Sequence, residues 1–150
     1  MITDSSIEIE AASSVVWDVF TDAERWPEWT ASVTRVVALD GPGIAVGRRF
    51  EIKQPRMPNL VWTVTAVEPG ASWTWEQRSP GGRTLATHEV VAVDEARTLV
   101  RQQIDQRGPI GTLVGFVMRS FTTRYLAMEA EGLKARCEHA AARRRDASTS

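Results

Sequence analysis

The order of its local patterns constrains what this chain folds into more than any single motif. An alternating strand segment comes first, followed by two short helical segments, six more strand segments and one long amphipathic helix. Short connections join the six consecutive strand segments, which favours antiparallel pairing between neighbours. A seven-stranded sheet of this kind curves around the single long helix and leaves a cavity between them. The sequence therefore predicts an α+β fold arranged β-α-α-β6-α with an internal cavity.

Strand segments are recognised by their β-branched and aromatic residues and by turn residues at each break. The predicted strands cover residues 2–9, 33–39, 48–54, 59–67, 72–78, 83–93 and 98–104. Glycine and proline mark the turns between them, as at Pro69–Gly70 and Pro80–Gly81.

Helical spacing distinguishes the two segments that follow the first strand. Apolar pairs at positions 15/16 and 19/20 predict a short helix with Ser13 or Ser14 as its N-cap. Asp22 is the expected N-cap of a second short helix through Arg25, because Pro27 disfavours helical geometry at the residue before it.

The long C-terminal helix is expected to begin after Gly108–Pro109 and to end near Arg143. Its first apolar stripe consists of Val114, Val117, Met118, Phe121, Tyr125 and Met128. An adjoining stripe consists of Leu126, Ala130, Leu133 and Cys137. We expect residues 1–143 to form one domain and residues 144–150 to be a disordered tail.

Hairpin geometry fixes which side chains share a face of the sheet. A two-residue loop at Pro69–Gly70 places Ala66 opposite Trp73 and Val64 opposite Trp75. The sheet tryptophans then lie on one inner face: Trp62, Trp73 and Trp75.

A second hairpin leads independently to the same inner face. A two-residue loop at Pro80–Gly81 places Trp75 opposite Ala86 and Trp73 opposite His88. The register after Asp94 is open by one residue, and keeping Arg101 outside favours an inner face of Val100, Gln102 and Ile104. In the segment 48–54 the preferred inner residues are Phe50, Ile52 and Gln54, which requires an irregular turn or bulge between Pro55 and Pro58.

Ligand-binding residues are expected on this inner sheet face and on the facing helix stripe. Indole rings offer large apolar surfaces with one N–H donor each, which suits a pocket for flat or cyclic apolar molecules. The predicted ligand-binding residues are Phe50, Ile52, Trp62, Val64, Trp73, Trp75, Gln77, His88, Val90, Gln102, Val114, Val117, Met118, Phe121 and Tyr125.

Candidate catalytic residues are few. His88 is the inward side chain that ordinarily titrates near neutral pH, and Tyr125 projects from the helix toward the same space, so this pair is the hypothesis for an acid and a base. The alternative is that His88 is a hydrogen-bonded core residue. No His, Cys or carboxylate cluster has the spacing of metal ligands, so we predict neither a metal nor a cofactor.

Composition narrows the partners and the location. A net charge of −1 and a pI near 6.1 disfavour nucleic acid as a partner. No stretch reaches the roughly 20 apolar residues of a membrane span, so we predict no stable membrane insertion. Cys137 is the single cysteine, which fits a reducing compartment and a cytoplasmic location. The oligomeric expectation is a monomer or homodimer.

Several short motifs together resemble those of the START-like helix-grip superfamily, in its polyketide cyclase, dehydrase and lipid-transport branch. The resemblance spans Ile2 to about Glu138, and it rests on Val16 to Val19, Thr21, Asp22, Trp26, Pro27, Trp29, Gly47, Thr65, Val67 to Pro69, Gly108, Pro109 and Leu133 to Ala135. It implies a seven-stranded antiparallel sheet gripping the long helix around an apolar cavity. It also implies small apolar ligands such as polyketides, lipids or aromatic metabolites.

Three functional hypotheses follow from these patterns. The first is a carrier or sensor that binds a small hydrophobic or aromatic ligand in the cavity. The alternative is a polyketide aromatase, cyclase or dehydratase that uses His88 and Tyr125. A third is an interaction module, which requires an exposed apolar patch.

Overall fold

A curved antiparallel sheet of seven strands organises the fold in the computed structural model, which describes residues 1–149. The strands are β1 (Ile2–Ile9), β2 (Arg35–Ala38), β3 (Arg49–Lys53), β4 (Leu60–Glu68), β5 (Ser72–Ser79), β6 (Gly82–Ala92) and β7 (Thr98–Arg107). They lie in the order β1-β7-β6-β5-β4-β3-β2, and all neighbours are antiparallel. The predicted α+β fold with a seven-stranded antiparallel sheet is confirmed.

The β5–β6 hairpin has the predicted register. Ser79 pairs with Gly82, so Pro80 and Gly81 form the two-residue loop. Gly81 has a φ of +76°, a backbone conformation that favours glycine. Further along the ladder, Trp75 lies opposite Ala86 and Trp73 lies opposite His88, as expected.

The β4–β5 hairpin differs from the prediction near its turn. Glu68 pairs with Ser72, so the loop contains three residues instead of two, and Val67 lies opposite Trp73 in place of Ala66. A β-bulge at Thr65 then inserts one unpaired residue into β4. The bulge offsets the extra loop residue, and the predicted pairing of Val64 with Trp75 is therefore confirmed.

Inward faces of the other strands match the prediction. Phe50 and Ile52 on β3 are buried, as are Val100 and Gln102 on β7, while Arg101 is exposed. The turn after β3 is irregular, as the inward face of β3 requires, and Arg56 within it has a φ of +66°.

The first helix, α1, spans Ser13–Thr21, and its N-cap is Ala12. Neither Ser13 nor Ser14 acts as the cap, because the helical turn begins one residue earlier: the carbonyl of Ala12 accepts hydrogen bonds from the amides of Val15 and Val16. A 3₁₀ helix follows at Ala23–Glu28, so it extends beyond the expected end at Arg25 and includes Pro27.

The C-terminal helical region consists of two helices, not the single helix that the sequence predicted. They are α2 (Pro109–Val117) and α3 (Arg119–Thr149), and Met118 between them has φ −93° and ψ 9°. The break lets α2 pack on β6 and β7 while α3 turns to pack on β1 and α1. α3 continues past Arg143 to Thr149, so residues 144–149 are helical where a disordered tail was expected; Ser150 lies outside the described residues.

Aromatic side chains fill the half of the interior beneath α1 and the 3₁₀ helix. Phe20 and Trp26 are buried and stack at 5.8 Å between ring centroids, and Phe20 meets the edge of Trp73 at 4.7 Å. The indole N–H of Trp26 donates to the carbonyl of Phe20 at 2.9 Å, which satisfies the one polar atom of that buried ring. The opposite half of the interior, beneath α2 and the start of α3, is less filled.

Gly132 on α3 is predicted to be intolerant of alanine. A Cβ at this position would overlap the carbonyl oxygen of Trp29, which packs directly on the helix. Replacing glycine by alanine in a helix ordinarily stabilises by about 1 kcal/mol. Here we expect Gly132→Ala to lower the free energy of unfolding by about 1–3 kcal/mol because the overlap forces a backbone shift.

Urea unfolding monitored by circular dichroism measures this effect. Ala135→Gly, on an exposed position of the same helix, is the matched control and should lose about 1 kcal/mol from helix propensity alone. A Gly132→Ala protein more stable than the wild type would contradict the close contact.

Candidate ligand-binding site

An interior cavity lies between the concave face of the sheet and the helices α2 and α3. Its larger, outer chamber has a volume of about 290 Å³. The outer chamber is lined by Gln54, Met57, Pro58, Leu60, Trp62, Gln77, Ser79, Thr84, Ile104, Gln106, Val114, Met118, Phe121, Thr122, Tyr125, Leu126 and Glu129. Apolar side chains predominate in this lining, which is typical of sites for small organic molecules.

A smaller, inner chamber of about 70 Å³ adjoins the first. Its lining includes Trp26, Val33, Ile52, Trp75, Ala86, His88 and Gln102. The two chambers share five lining residues, Gln54, Trp62, Ile104, Leu126 and Glu129. They therefore form one continuous site that narrows toward the aromatic core.

Two of the three sheet tryptophans line this site. Trp62 is half-buried and lines both chambers, whereas Trp75 is buried and lines the inner one. Their ring centroids are 6.0 Å apart at an interplanar angle of 43°. The pair presents aromatic surface along the wall that connects the chambers.

Trp73 lies outside the cavity, although the sequence placed it with the ligand-binding residues. Its ring stacks on His88 at 4.1 Å and 11° and is covered by Phe20 from α1. Hairpin pairing identified the correct face of the sheet for Trp73, but it contains no information about which part of that face α1 covers.

The remaining predicted binding residues divide into three groups. Those that line a chamber are Ile52, Gln77, His88, Gln102, Val114, Met118, Phe121 and Tyr125. Phe50, Val64 and Val90 instead pack in the buried core. Val117 is 74% exposed because the helical repeat is interrupted at Met118, and this turns Val117 away from the sheet.

His88 is a buried, neutral core residue that touches the inner chamber. Burial lowers the pKa of its imidazole to about 3. Nδ1 lies 3.4 Å from the carbonyl oxygen of Trp73, which accepts the hydrogen bond. An imidazole that stays neutral at physiological pH is a poor general acid.

Tyr125 occupies the outer chamber, away from His88. Its hydroxyl donates a hydrogen bond to the carbonyl of Pro55 at 3.0 Å, in the turn after β3. Its ring packs on Phe121, with ring centroids 4.1 Å apart. Because each residue lines a different chamber, the structure does not bring together the His88 and Tyr125 pair that the sequence indicated as acid and base.

Glu129 on α3 is the polar residue of the site that the sequence analysis missed. It is buried, and it lines both chambers. Gln102 donates its Nε2–H to Oε2 of Glu129 at 2.7 Å, and the hydroxyl of Ser32 donates to Oε1 at 3.5 Å. Burial raises the pKa of this carboxyl to about 7, and the hydrogen bonds from Gln102 and Ser32 limit the rise.

A signal for Glu129 was present in the helix pattern. It lies three residues after Leu126 and four before Leu133, so helical spacing puts it on the second apolar stripe, which packs inward. A carboxylate on such a stripe is costly unless it is hydrogen-bonded, and this makes it a candidate functional group.

Two buried amide oxygens near Glu129 are also available to accept hydrogen bonds from a ligand. Oε1 of Gln102 and Oε1 of Gln106 have no hydrogen-bond partner within residues 1–149, and the two side chains line the inner and outer chambers respectively. Together with Glu129, they give the site buried hydrogen-bond acceptors in a lining that is mainly apolar. Within that same part of the chain, no group of three or more His, Cys, Asp or Glu side chains is arranged to hold a metal ion.

The fold and this cavity define a class of protein in which a curved sheet and a C-terminal helix enclose a small-molecule site. Residues 2–138 match the family described as polyketide cyclase / dehydrase and lipid transport. The match covers most of the chain, and the protein belongs to this family.

Solved structures with the same fold include three with informative names. The Zhui aromatase/cyclase from Streptomyces sp. R1128 superposes with a TM-score of 0.71 at 13% identity, over 92% of this chain and 93% of that one. Norcoclaurine synthase from Thalictrum flavum, solved with dopamine and hydroxybenzaldehyde, gives 0.69 at 15% identity, over 90% and 84%. A START superfamily protein from Mycobacterium smegmatis gives 0.68 at 16%, over 90% and 97%. These similarities show the shared fold.

Glu129 is predicted to make the stability of the fold fall as the pH rises. Its pKa is raised from 4.5 to about 7 on folding, so its contribution is fully present below about pH 4.5 and is lost as the pH rises through 7. Glutamine at this position does not titrate. We therefore expect the free energy of unfolding of Glu129→Gln, relative to that of the wild type, to rise by roughly 3 kcal/mol from pH 5 to pH 8.

Urea unfolding at several pH values measures this difference. Folding also lowers the pKa of His88, so the contribution of His88 to the free energy of unfolding falls below pH 6.5. This change is the same in both proteins and cancels in the comparison. Glu131→Gln, at an exposed position of α3, is the control and should leave the pH profile unchanged. A constant difference between wild type and Glu129→Gln across this range would contradict a raised pKa at Glu129.

Proposed function

We propose that this protein binds one small, ring-containing apolar molecule in the two-chamber cavity, as a carrier or sensor. The observation that supports this most directly is the outer chamber itself, whose volume of about 290 Å³ is lined mainly by apolar side chains. Ligand pockets typically have volumes of about 300–1,000 Å³, so this chamber is at the small end of the range. Its size favours a compact molecule over a complete phospholipid.

The lining defines what such a ligand should look like. The rings of Trp62 and Phe121 favour a flat or cyclic body in the outer chamber. Glu129 and the oxygen of Gln102 at the inner end favour a hydroxyl group that donates hydrogen bonds. Membership of a family described by polyketide cyclisation, dehydration and lipid transport supports an apolar or aromatic ligand. A cytoplasmic location, the absence of nucleic-acid binding and a monomer or homodimer remain predictions.

Direct binding tests this proposal. We expect tryptophan fluorescence of the purified protein to change on titration with 1-naphthol, because Trp62 and Trp75 border the cavity. Native mass spectrometry of freshly purified protein should also reveal the mass of a copurified ligand. A protein that takes up none of 1-naphthol, an anthraquinone, a fatty acid and a sterol would contradict the proposal.

Trp62→Ala is predicted to weaken binding of 1-naphthol by tenfold or more. Contact with a buried aromatic side chain contributes about 1.5–3 kcal/mol, and alanine removes that surface from both chambers. Isothermal titration calorimetry measures the Kd. Val61→Ala, on the exposed face of the same strand, is the matched control and should bind like the wild type. Equal losses in both variants would argue against a site at Trp62.

A second candidate function is proton transfer to or from the bound ligand, with Glu129 as the general acid or base. The observation that favours it is the carboxyl with a pKa of about 7 beside a cavity, since a general base works best with a pKa near the working pH. In the basic form, Glu129 accepts a proton from an activated C–H group, and the electron pair left on carbon forms an enolate. Returning the proton to the carbon restores the ketone.

Hydrogen exchange at carbon tests this candidate without knowledge of the natural substrate. The C1 hydrogens of 2-tetralone, a bicyclic ketone, exchange for deuterium in D₂O through the enolate, and proton NMR follows the rate. We expect the wild-type protein to accelerate exchange and Glu129→Gln to reduce that acceleration by roughly a hundredfold, a typical contribution of general base catalysis. Glu131→Gln is the control. Exchange that is equally fast with Glu129→Gln would exclude Glu129 as the base.

A further inference from the structure

Helix α2 carries an exposed apolar surface that neither the core nor the cavity uses. Four of its nine residues, Ile110, Leu113, Phe116 and Val117, are 53–74% exposed. We call these four residues the α2 apolar face. The helix has one polar side chain, Thr112, and no charged residue.

The other side of α2 explains why this face remains outside. Gly111 lies against the backbone of Gly82, and a Cβ on Gly115 would overlap the side-chain oxygen of Gln106, so small residues make the contact with the sheet. Val114 and Met118 line the outer chamber. Packing on the sheet explains why positions 111 and 115 are glycine, and the cavity explains the apolar Val114. Neither explains why Leu113, Phe116 and Val117 are apolar. Contiguous exposed apolar patches usually mark a binding surface.

Positive charges outnumber negative charges around this face. Two segments meet at α2, since the amide of Ile110 donates to the carbonyl of Gly81 in the β5–β6 turn. These segments, residues 77–87 and 106–128, contain five arginines and no Asp or Glu, whereas the whole chain has slightly more acidic than basic residues. The nearest carboxylates, Glu76 and Asp105, form ion pairs with Arg78, Arg83 and Arg107. Arg119 and Arg124 form no ion pair with another residue of the range 1–149, so the surface keeps an excess of positive charge.

We propose that the α2 apolar face docks on a membrane surface that contains anionic lipids. Apolar side chains flanked by arginines suit the boundary between acyl chains and anionic headgroups. The helices within residues 1–149 lack the length and hydropathy to cross a bilayer, so α2 lies in the interface and does not span it. A second copy of the chain is a poorer occupant, because a symmetric contact would bring the arginines of both faces together.

Docking in this orientation places the outer chamber next to the lipid. Val114 on α2 and Met118 just after it line that chamber, while Phe116 and Val117 on α2 enter the interface. An apolar ligand then moves between membrane and cavity past a single helix. This role is separate from binding itself, since none of the four residues of the α2 apolar face lines either chamber.

Vesicle flotation with the full chain tests the proposal. The probes are vesicles of phosphatidylcholine alone and vesicles of phosphatidylcholine mixed with the anionic lipid phosphatidylglycerol. We expect the wild type to float with the anionic vesicles and much less with the neutral ones, and high salt to weaken the association.

Two pairs of substitutions separate the apolar and the charged contributions. Leu113→Ser with Phe116→Ser should lower the partition coefficient at least tenfold. Arg119→Gln with Arg124→Gln should lower it roughly fivefold for each arginine removed. The matched controls are Val46→Ser and Arg143→Gln, at exposed positions elsewhere on the surface. Both double variants should keep the circular dichroism spectrum and the 1-naphthol affinity of the wild type.

Three results would overturn the proposal. The first is a wild type that fails to associate with anionic vesicles. The second is an association that the two double variants and the controls reduce equally. The third is a concentration-dependent dimer, detected by analytical ultracentrifugation, that Leu113→Ser with Phe116→Ser abolishes, since this assigns the face to a second copy. A double variant that loses vesicle binding but still binds 1-naphthol supports docking. A wild type that does not bind 1-naphthol bears on the proposed function alone.

Discussion

Aromatic packing between the 3₁₀ helix and the sheet is the constraint on which the site depends. Trp26 stacks on Phe20 and contacts Trp75, and its indole hydrogen bond to the Phe20 carbonyl fixes the ring in place. This cluster fills one half of the concave sheet and ends at the inner chamber. The other half of the concave face, beneath α2 and the start of α3, contains the outer chamber. The cavity is thus the space between two packed units, not a defect within one of them.

Glu129 shows how the helix and the sheet cooperate in the chemistry of the cavity. Burial on α3 makes its ionised form costly, while Gln102 on β7 and Ser32 before β2 donate hydrogen bonds that favour this form. Ser32 is in turn bonded to Thr30, with 2.7 Å between the hydroxyl oxygens. The balance keeps the carboxyl near the point where either form is accessible at neutral pH. His88 shows the opposite case, since burial without a charged partner leaves it neutral.

The sequence predicted the sheet accurately because alternation and turn chemistry act locally. The β5–β6 register followed from Pro80–Gly81 alone. In β4–β5 the predicted pairing of Val64 with Trp75 is correct although the loop is one residue longer than expected, because the bulge at Thr65 compensates. No local pattern marks such a bulge: its extra residue is set by how the whole strand pairs and curves.

The candidate site was predictable only in part, for reasons of tertiary packing. Helical and strand periodicity correctly predicted that Trp62, Trp75 and Met118 line the cavity. Periodicity does not indicate how much of the sheet α1 covers, which removed Trp73 from the site, or that the C-terminal helix breaks at Met118, which turned Val117 outward. That break has a geometric consequence. α2 lies between Gly108, with a φ of +84°, and Met118, where the helix is interrupted, so its nine residues follow the surface of β6 and β7 in a direction that α3 does not dictate.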